Sequence, residues 1–264
     1  MSRPDDRARQ IAIVLGPGGA SRYLLDRLKP LLSADRTIEL QGVYLEELAV
    51  QHAAAMPFVK ELCRVTFVVR EFDNEQMNRA LLLRMRTARR ALAVLATRVG
   101  AGHSFRRSKG SAVELLKRAA AEADITVFEP VRPPLFALSP EGHAGRPGQI
   151  AVLFSDVESS DRVLRVAKQL RGGDTRRILG FVMPDRVHHG AALAEHVRAL
   201  AEGSSVHIRH VTTGEVADLA LAVREGFASL LVAPATGAMT QAPMLRFLRE
   251  QIRCPVCLVR EWQD

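Results

Sequence analysis

The apolar run Ile11-Ala12-Ile13-Val14-Leu15 returns later as Ile150-Ala151-Val152-Leu153-Phe154, and each copy leads through a polar turn into an amphipathic helical pattern. Those helices are Arg22 to Leu32 and Asp161 to Leu170, and a second apolar strand follows each, Ile38 to Tyr44 and Ile178 to Met183. Further on, Gly110 to Pro130 and Gly214 to Pro234 have equal length, with Glu114 opposite Asp218, Leu115 opposite Leu219, and Val127-Phe128 opposite Leu231-Val232. His103 and His207 precede those glycines at the same distance. Self-similarity on this scale predicts an internal duplication. Alternating strands and helices within each copy predict an α/β fold with parallel sheets and right-handed crossovers.

The copies differ. Between its second and third strands the first holds an extra segment, Glu46 to Phe72, and a long helix at about Asn74 to Val99 with Gly100 as its C-cap, where the second has only Ala191 to Glu202. After Pro130 the first copy runs through Val131-Arg132-Pro133-Pro134 and Ser139-Pro140-Glu141-Gly142 to Pro147-Gly148. So much Pro and Gly predicts a linker and leaves no room for a fourth helix and a fifth strand. The expected units are residues 1–148, truncated, and 149–264, complete.

The complete copy ends in helix, strand, loop, helix, strand. Thr212 with Glu215 forms a capping-box signature, and Val216, Leu219, Ala220 and Val223 recur at helical spacing. Leu230 to Ala233, closed by Pro234, reads as a strand buried on both faces. Pro243 suits the first turn of the next helix, with Met244, Phe247, Leu248 and Ile252 on one face, before Cys254-Pro255 opens a last strand, Val256 to Val259. In a parallel sheet the loop after Pro234 lies at a strand's carboxyl end and faces a helix N-terminus, where α/β folds bind phosphates.

With its Cys-Pro-Val, this stretch resembles the carboxy-terminal part of a universal stress protein domain. The two copies together resemble a tandem universal stress protein over residues 11–260, of a proteobacterial type through Tyr44-Leu45-Glu46-Glu47, Met56-Pro57-Phe58 and Ser104-Phe105-Arg106. The resemblance implies two Rossmann-like units of the adenine nucleotide alpha hydrolase kind and a stress-linked role. ATP-binding members carry G-x2-G-x9-G-[S/T] in the loop. Here Ala233, Thr236 and Ala242-Pro243 stand at those positions, and only Gly237 to Gln241 separates the halves of the motif. The expectation is therefore a regulatory or adaptor protein without an ATP cofactor and without a catalytic residue. The alternative is ATP or AMP in a remodelled pocket around Asp156, Val182, Gly237 and Thr240, with slow hydrolysis. Asp156 follows the strand whose terminal Asp contacts nucleotide in the family. With the loop so altered, the stronger reading is a turn or helix N-terminal aspartate.

Other chemistry is thinly represented. Gly16-Pro17-Gly18-Gly19-Ala20 lacks both dinucleotide spacing and a Walker Lys-Ser/Thr, and reads as a tight turn. Cys254-Pro255-Val256-Cys257 matches C-x-x-C, but residues three apart on a strand point to opposite faces, which predicts structural cysteines. His188-His189 is expected in a loop, and His207 and His210 flank a strand without ligands at metal spacing. No G-x-S-x-G or H-E-x-x-H occurs.

The net charge of +8 admits an acidic partner, so nucleic acid binding through arginine clusters is a third reading. Against it, Arg79, Arg84, Arg86, Arg89, Arg90 and Arg98 flank the apolar face of the long helix, and aromatics make up only 5% of the chain. Three cysteines and no apolar stretch of membrane-spanning length make a cytoplasmic protein without a membrane partner the expectation. In the family the last strand commonly pairs across a dimer. A homodimer through Cys257 to Val259 is expected on that ground, although the two halves packing on each other within one chain would cover part of the same surface; an unidentified protein partner is expected as well.

Overall fold

The computed structural model describes residues 8–16, 22–34, 37–47, 52, 56, 58–62, 67–131, 148–172, 177–183, 186–202, 206–211 and 216–260. The turn at 17–20, Cys63, the linker at 132–147 and the pair Thr212 and Glu215 lie outside them. The amino-terminal half runs β1 (Arg9–Leu15), α1 (Arg22–Ala34), β2 (Ile38–Glu47), β3 (Lys60–Leu62), β4 (Val69–Glu71), α2 (Asn74–Val99), β5 (Gly102–Gly110), α3 (Ala112–Glu122) and β6 (Ile125–Phe128). The carboxy-terminal half runs β7 (Gln149–Phe154), α4 (Val157–Arg171), β8 (Ile178–Val182), α5 (Arg186–Ala201), β9 (Val206–His210), α6 (Val216–Glu225) and β10 (Ala228–Pro234). It closes with a 3-10 turn (Gly237–Thr240), α7 (Ala242–Glu250) and β11 (Val256–Val259).

Among the described residues every strand except the β3-β4 hairpin belongs to one nine-stranded sheet, ordered β5-β2-β1-β6-β11-β10-β7-β8-β9. Each half lays down its first four sheet strands in the same order, third, second, first, fourth: β5-β2-β1-β6 and β9-β8-β7-β10. Pairing within each half is parallel, as helical crossovers require. Strand β11 then runs parallel to β10, with Leu231 opposite Val256, and antiparallel to β6, with Cys257 opposite Val127. The two parallel sheets expected from the sequence are therefore one sheet with an antiparallel seam.

That seam overturns the expected dimer edge. Cys257, Leu258 and Val259 are at most 1% exposed, and β11 is hydrogen-bonded on both sides within the chain. The physical reason lies in β6, the last described strand of the first half, which would otherwise present an open row of backbone donors and acceptors. The tethered β11 fills it at an effective concentration that a second molecule cannot match.

Alternation along the strands fills two cores. Ile11, Ile13, Leu15, Ile150, Val152 and Phe154 pack beneath α1, α2, α4 and α5. Ala12, Val14, Ala151 and Leu153 face α3, α6 and α7. Helix α2 keeps its expected limits: the Asp73 carboxylate accepts the Glu75 and Gln76 N–H groups at 2.9 and 3.0 Å, and Gly100 closes it at φ 71°. It lies close on β2, where a Cβ on Gly42 would come within 2.6 Å of the Leu92 side chain. Helix α5 starts at Arg186, so His188-His189 lies in a helix rather than a loop. Between Arg186 and Ala201 only Gly190 disfavours a helix, by about 1 kcal/mol.

A polar clamp crosses the seam. The Arg260 side chain donates to the Ala123 carbonyl at 3.1 Å and to Asp124 Oδ1 at 3.3 Å, while Asp124 Oδ2 accepts the Gln10 N–H at 2.8 Å. Arg162 on α4 donates to the Arg260 carbonyl at 2.9 Å. Residues after β11 thus hold the α3-β6 turn of the other half.

Candidate nucleotide site at the end of β10

The carboxyl ends of β7 and β10 meet at Asp156. Its Oδ1 accepts the Ser159 N–H at 2.7 Å, which makes it the N-cap of α4 and explains why that helix begins at Val157. Its Oδ2 accepts the Ser155 hydroxyl at 2.9 Å and the Thr236 hydroxyl at 3.4 Å, and the Ser160 hydroxyl donates to the Asp156 carbonyl at 2.6 Å. Burial pushes this carboxyl up, but hydrogen bonds from Ser159, Ser155 and Thr236 outweigh it and hold the group below the usual aspartate value. An ionised carboxylate at two strand ends accepts hydroxyl groups and repels an anion.

Beyond Thr236 the chain bends through Gly237, whose φ of 52° favours glycine, and folds into the 3-10 turn. That turn uses its own groups. The Met239 N–H donates to the Thr236 carbonyl at 3.0 Å, the Thr240 hydroxyl to the Gly237 carbonyl at 3.2 Å, and the Gln241 N–H to the Ala238 carbonyl at 3.2 Å. Gln241 then caps α7 without a side-chain bond, and Pro243 removes one first-turn N–H. The Ala235 N–H is committed to the Val259 carbonyl at 2.7 Å.

Of the candidate residues, Asp156 is brought beside Thr236 and so beside the turn that holds Gly237 and Thr240. Val182 is not presented to them. Its side chain is 2% exposed in the core beneath α1, α2, α4 and α5, and its carbonyl accepts the Val211 N–H at 3.2 Å. Thr236 as a partner of Asp156 has no local signal, because the two are joined only by strand order.

The C-x-x-C pair separates as its spacing predicts. Cys254 packs with the α3, α6 and α7 core and Cys257 with the opposite one, and both are free thiols that burial pushes up to about 12. Cys254 precedes the strand rather than opening it. Among the described residues no group of His, Cys, Asp and Glu has the arrangement of a metal site.

A second polar cluster, which sequence reasoning left as a motif, lies at the end of β2. The Arg107 Nη2 donates to Glu46 Oε2 at 2.6 Å, and the fully buried Tyr44 has a hydroxyl without a partner among the described residues. Burial raises the Tyr44 pKa, Arg84 and Arg107 oppose that, and Glu46 adds to it.

No protein-family model matches the chain. A search of curated proteins gives no match. Among solved structures, a universal stress protein from Archaeoglobus fulgidus DSM 4304 is similar at 12% identity and a TM-score of 0.49, over 94% of this chain and 98% of that one. A candidate universal stress protein from Pseudomonas aeruginosa UCBPP-PA14 is similar at 13% identity and a TM-score of 0.44, over 97% of this chain and 94% of that one.

Proposed function

We propose that this chain is a tandem universal-stress-type protein of the cytoplasm that acts in a stress response as a regulatory or adaptor module, without catalysis and without ATP in the loop after β10. The observation that carries the reading is the state of that loop. A triphosphate needs several free backbone N–H groups converging on it, glycine at the points of close approach and a hydroxyl beside them. Here the Met239 and Gln241 N–H groups close the 3-10 turn, Pro243 has none, and Ala242 carries a methyl group where a glycine would admit phosphate. The helix dipole of α7 contributes roughly 0.3–1 kcal/mol toward an anion, against the about 8 kcal/mol that micromolar affinity requires.

The second reading, ATP or AMP in a remodelled pocket, is favoured by one feature: Asp156 with Thr236 offers a carboxylate and a hydroxyl to ribose beside the open position at Gly237. A thermal-shift screen with MgATP, AMP and an oligonucleotide separates these readings and the nucleic acid one, because a ligand at 100 times its Kd adds about 2.7 kcal/mol of stability. No shift with any of the three is expected. A shift with a nucleotide supports the remodelled pocket, and one with the oligonucleotide supports the arginine clusters.

A further inference from the structure

One hydroxyl of the core is left without a bond. Tyr44, near the end of β2, is fully buried in the core beneath α2, and its hydroxyl has no partner among the described residues. Buried polar atoms are nearly always bonded, so an orphan of this kind marks a place for a group that the chain does not itself supply. The charged groups around it are mostly donors. Arg107 stands opposite Tyr44 in the β2-β5 register and Lys109 opposite Glu46. Burial raises the Tyr44 pKa, and of the charges that act on the hydroxyl Arg84 of α2 is the strongest, ahead of Glu46 and Arg107. Glu46 is the one carboxylate among them, and it is already engaged: its two oxygens take Arg107 Nε and Nη2, the latter at 2.6 Å. That fork leaves the Arg107 Nη1 donors outside the pair. The chain that follows β2, residues 48–60, adds no acid.

Donors thus come together from three elements, β2, β5 and α2, with a net positive charge, and what the cluster lacks is an acceptor. We propose that it binds a small tetrahedral oxyanion, inorganic phosphate or sulfate, which accepts the Tyr44 O–H on one oxygen and guanidinium N–H groups of Arg107 and Arg84 on others. Approach from two strands and a helix above them suits a tetrahedral ion better than a planar carboxylate. Arg84 and Arg107 are exposed, so their ends move aside to admit the ion, whereas the covered hydroxyl leaves no room for the substituent of a phosphate ester. Strands β2 and β10 lie four places apart in the sheet, about 19 Å, so this site stands whether or not a nucleotide binds in the loop after β10.

NMR on the full chain with tyrosine labelled at the ring carbon bearing the hydroxyl tests this, because the chain has two tyrosines and Tyr44→Phe identifies the resonance. At constant ionic strength in chloride, inorganic phosphate should move the Tyr44 resonance saturably, with a midpoint of about 1–10 mM. Arg84→Gln, at an exposed position, should raise that midpoint at least about tenfold while leaving the thermal midpoint in phosphate-free buffer unchanged. Tyr44→Phe, which removes only the orphan hydroxyl, should be at least as stable as the wild type without phosphate and should gain less from phosphate than the wild type does. Sulfate acting equally would mean that the site reads shape and charge, and phosphate acting alone that it also reads the O–H of the ion; either supports the site. A Tyr44 resonance that neither ion moves up to about 50 mM, or a midpoint indifferent to Arg84→Gln, overturns the proposal. So does an equal response to acetate or to AMP, which would make the ligand a carboxylate or an ester.

Discussion

Strands β6 and β10 hold the same place in their halves and end differently. After β6 the described chain continues only to Val131, whose N–H donates to the Arg249 carbonyl at 2.8 Å in the other half. After β10 it turns through Gly237–Thr240 and α7 and returns as β11, which lies between the two. One closing strand serves both halves. The lesson is that a half with no described helix and strand after its fourth strand need not leave an edge, provided a neighbour in the same chain supplies the row of hydrogen bonds.

The largest test of this comparison is at that strand. Leu258→Ala empties a fully buried site opposite Thr126, and should cost about 2–5 kcal/mol in urea denaturation with the halves still unfolding together. Two separated transitions, of which one alone shifts, would show that the seam does not couple the halves. Next in size is the clamp. Arg260→Ala removes bonds to Ala123 and Asp124 from a side chain 28% exposed, and about 1–2 kcal/mol should be lost. A double-mutant cycle with Asp124→Asn should give a positive coupling, whereas strict additivity would reduce the clamp to a surface pair.

Asp156→Ala removes the α4 cap and should cost about 1 kcal/mol near neutral pH. The carboxyl has a lowered pKa in the fold, so its contribution is complete above the unfolded value and fades as pH falls through the folded one. Wild type and variant should therefore converge on acidification. Parallel stability curves would mean that the hydrogen bonds from Ser159, Ser155 and Thr236 do not favour the ionised form. The smallest effect concerns thiols: with Cys63 replaced by Ser, native protein at pH 8 should leave Cys254 and Cys257 unlabelled by a thiol reagent, and unfolding should expose both. A disulfide between them at cytosolic potential would contradict their placement on opposite faces of the sheet.

The α/β alternation was readable because it rests on local patterns. The paired apolar runs, Asp73 and Gly100 around α2, and Pro243 in the first turn of α7 all depend on neighbours in sequence. What failed is non-local. Nothing in Val256 to Val259 says which strand lies across from it, so a buried strand with two partners and an edge strand awaiting a dimer read alike. The same holds at the candidate site. Asp156 as a cap was open to inference from the serines that follow it, but its bond to Thr236 and the burial of Val182 depend on how distant strands are ordered.

Titration calorimetry with MgATP on the full chain tests the central claim, that the loop after β10 does not hold a nucleotide. The absence of binding, or a Kd above about 100 μM, corresponding to at most about 5.5 kcal/mol, is the predicted result. A saturable isotherm in the low micromolar range, lost when Asp156 or Gly237 is replaced, would contradict it and place a nucleotide in the remodelled pocket.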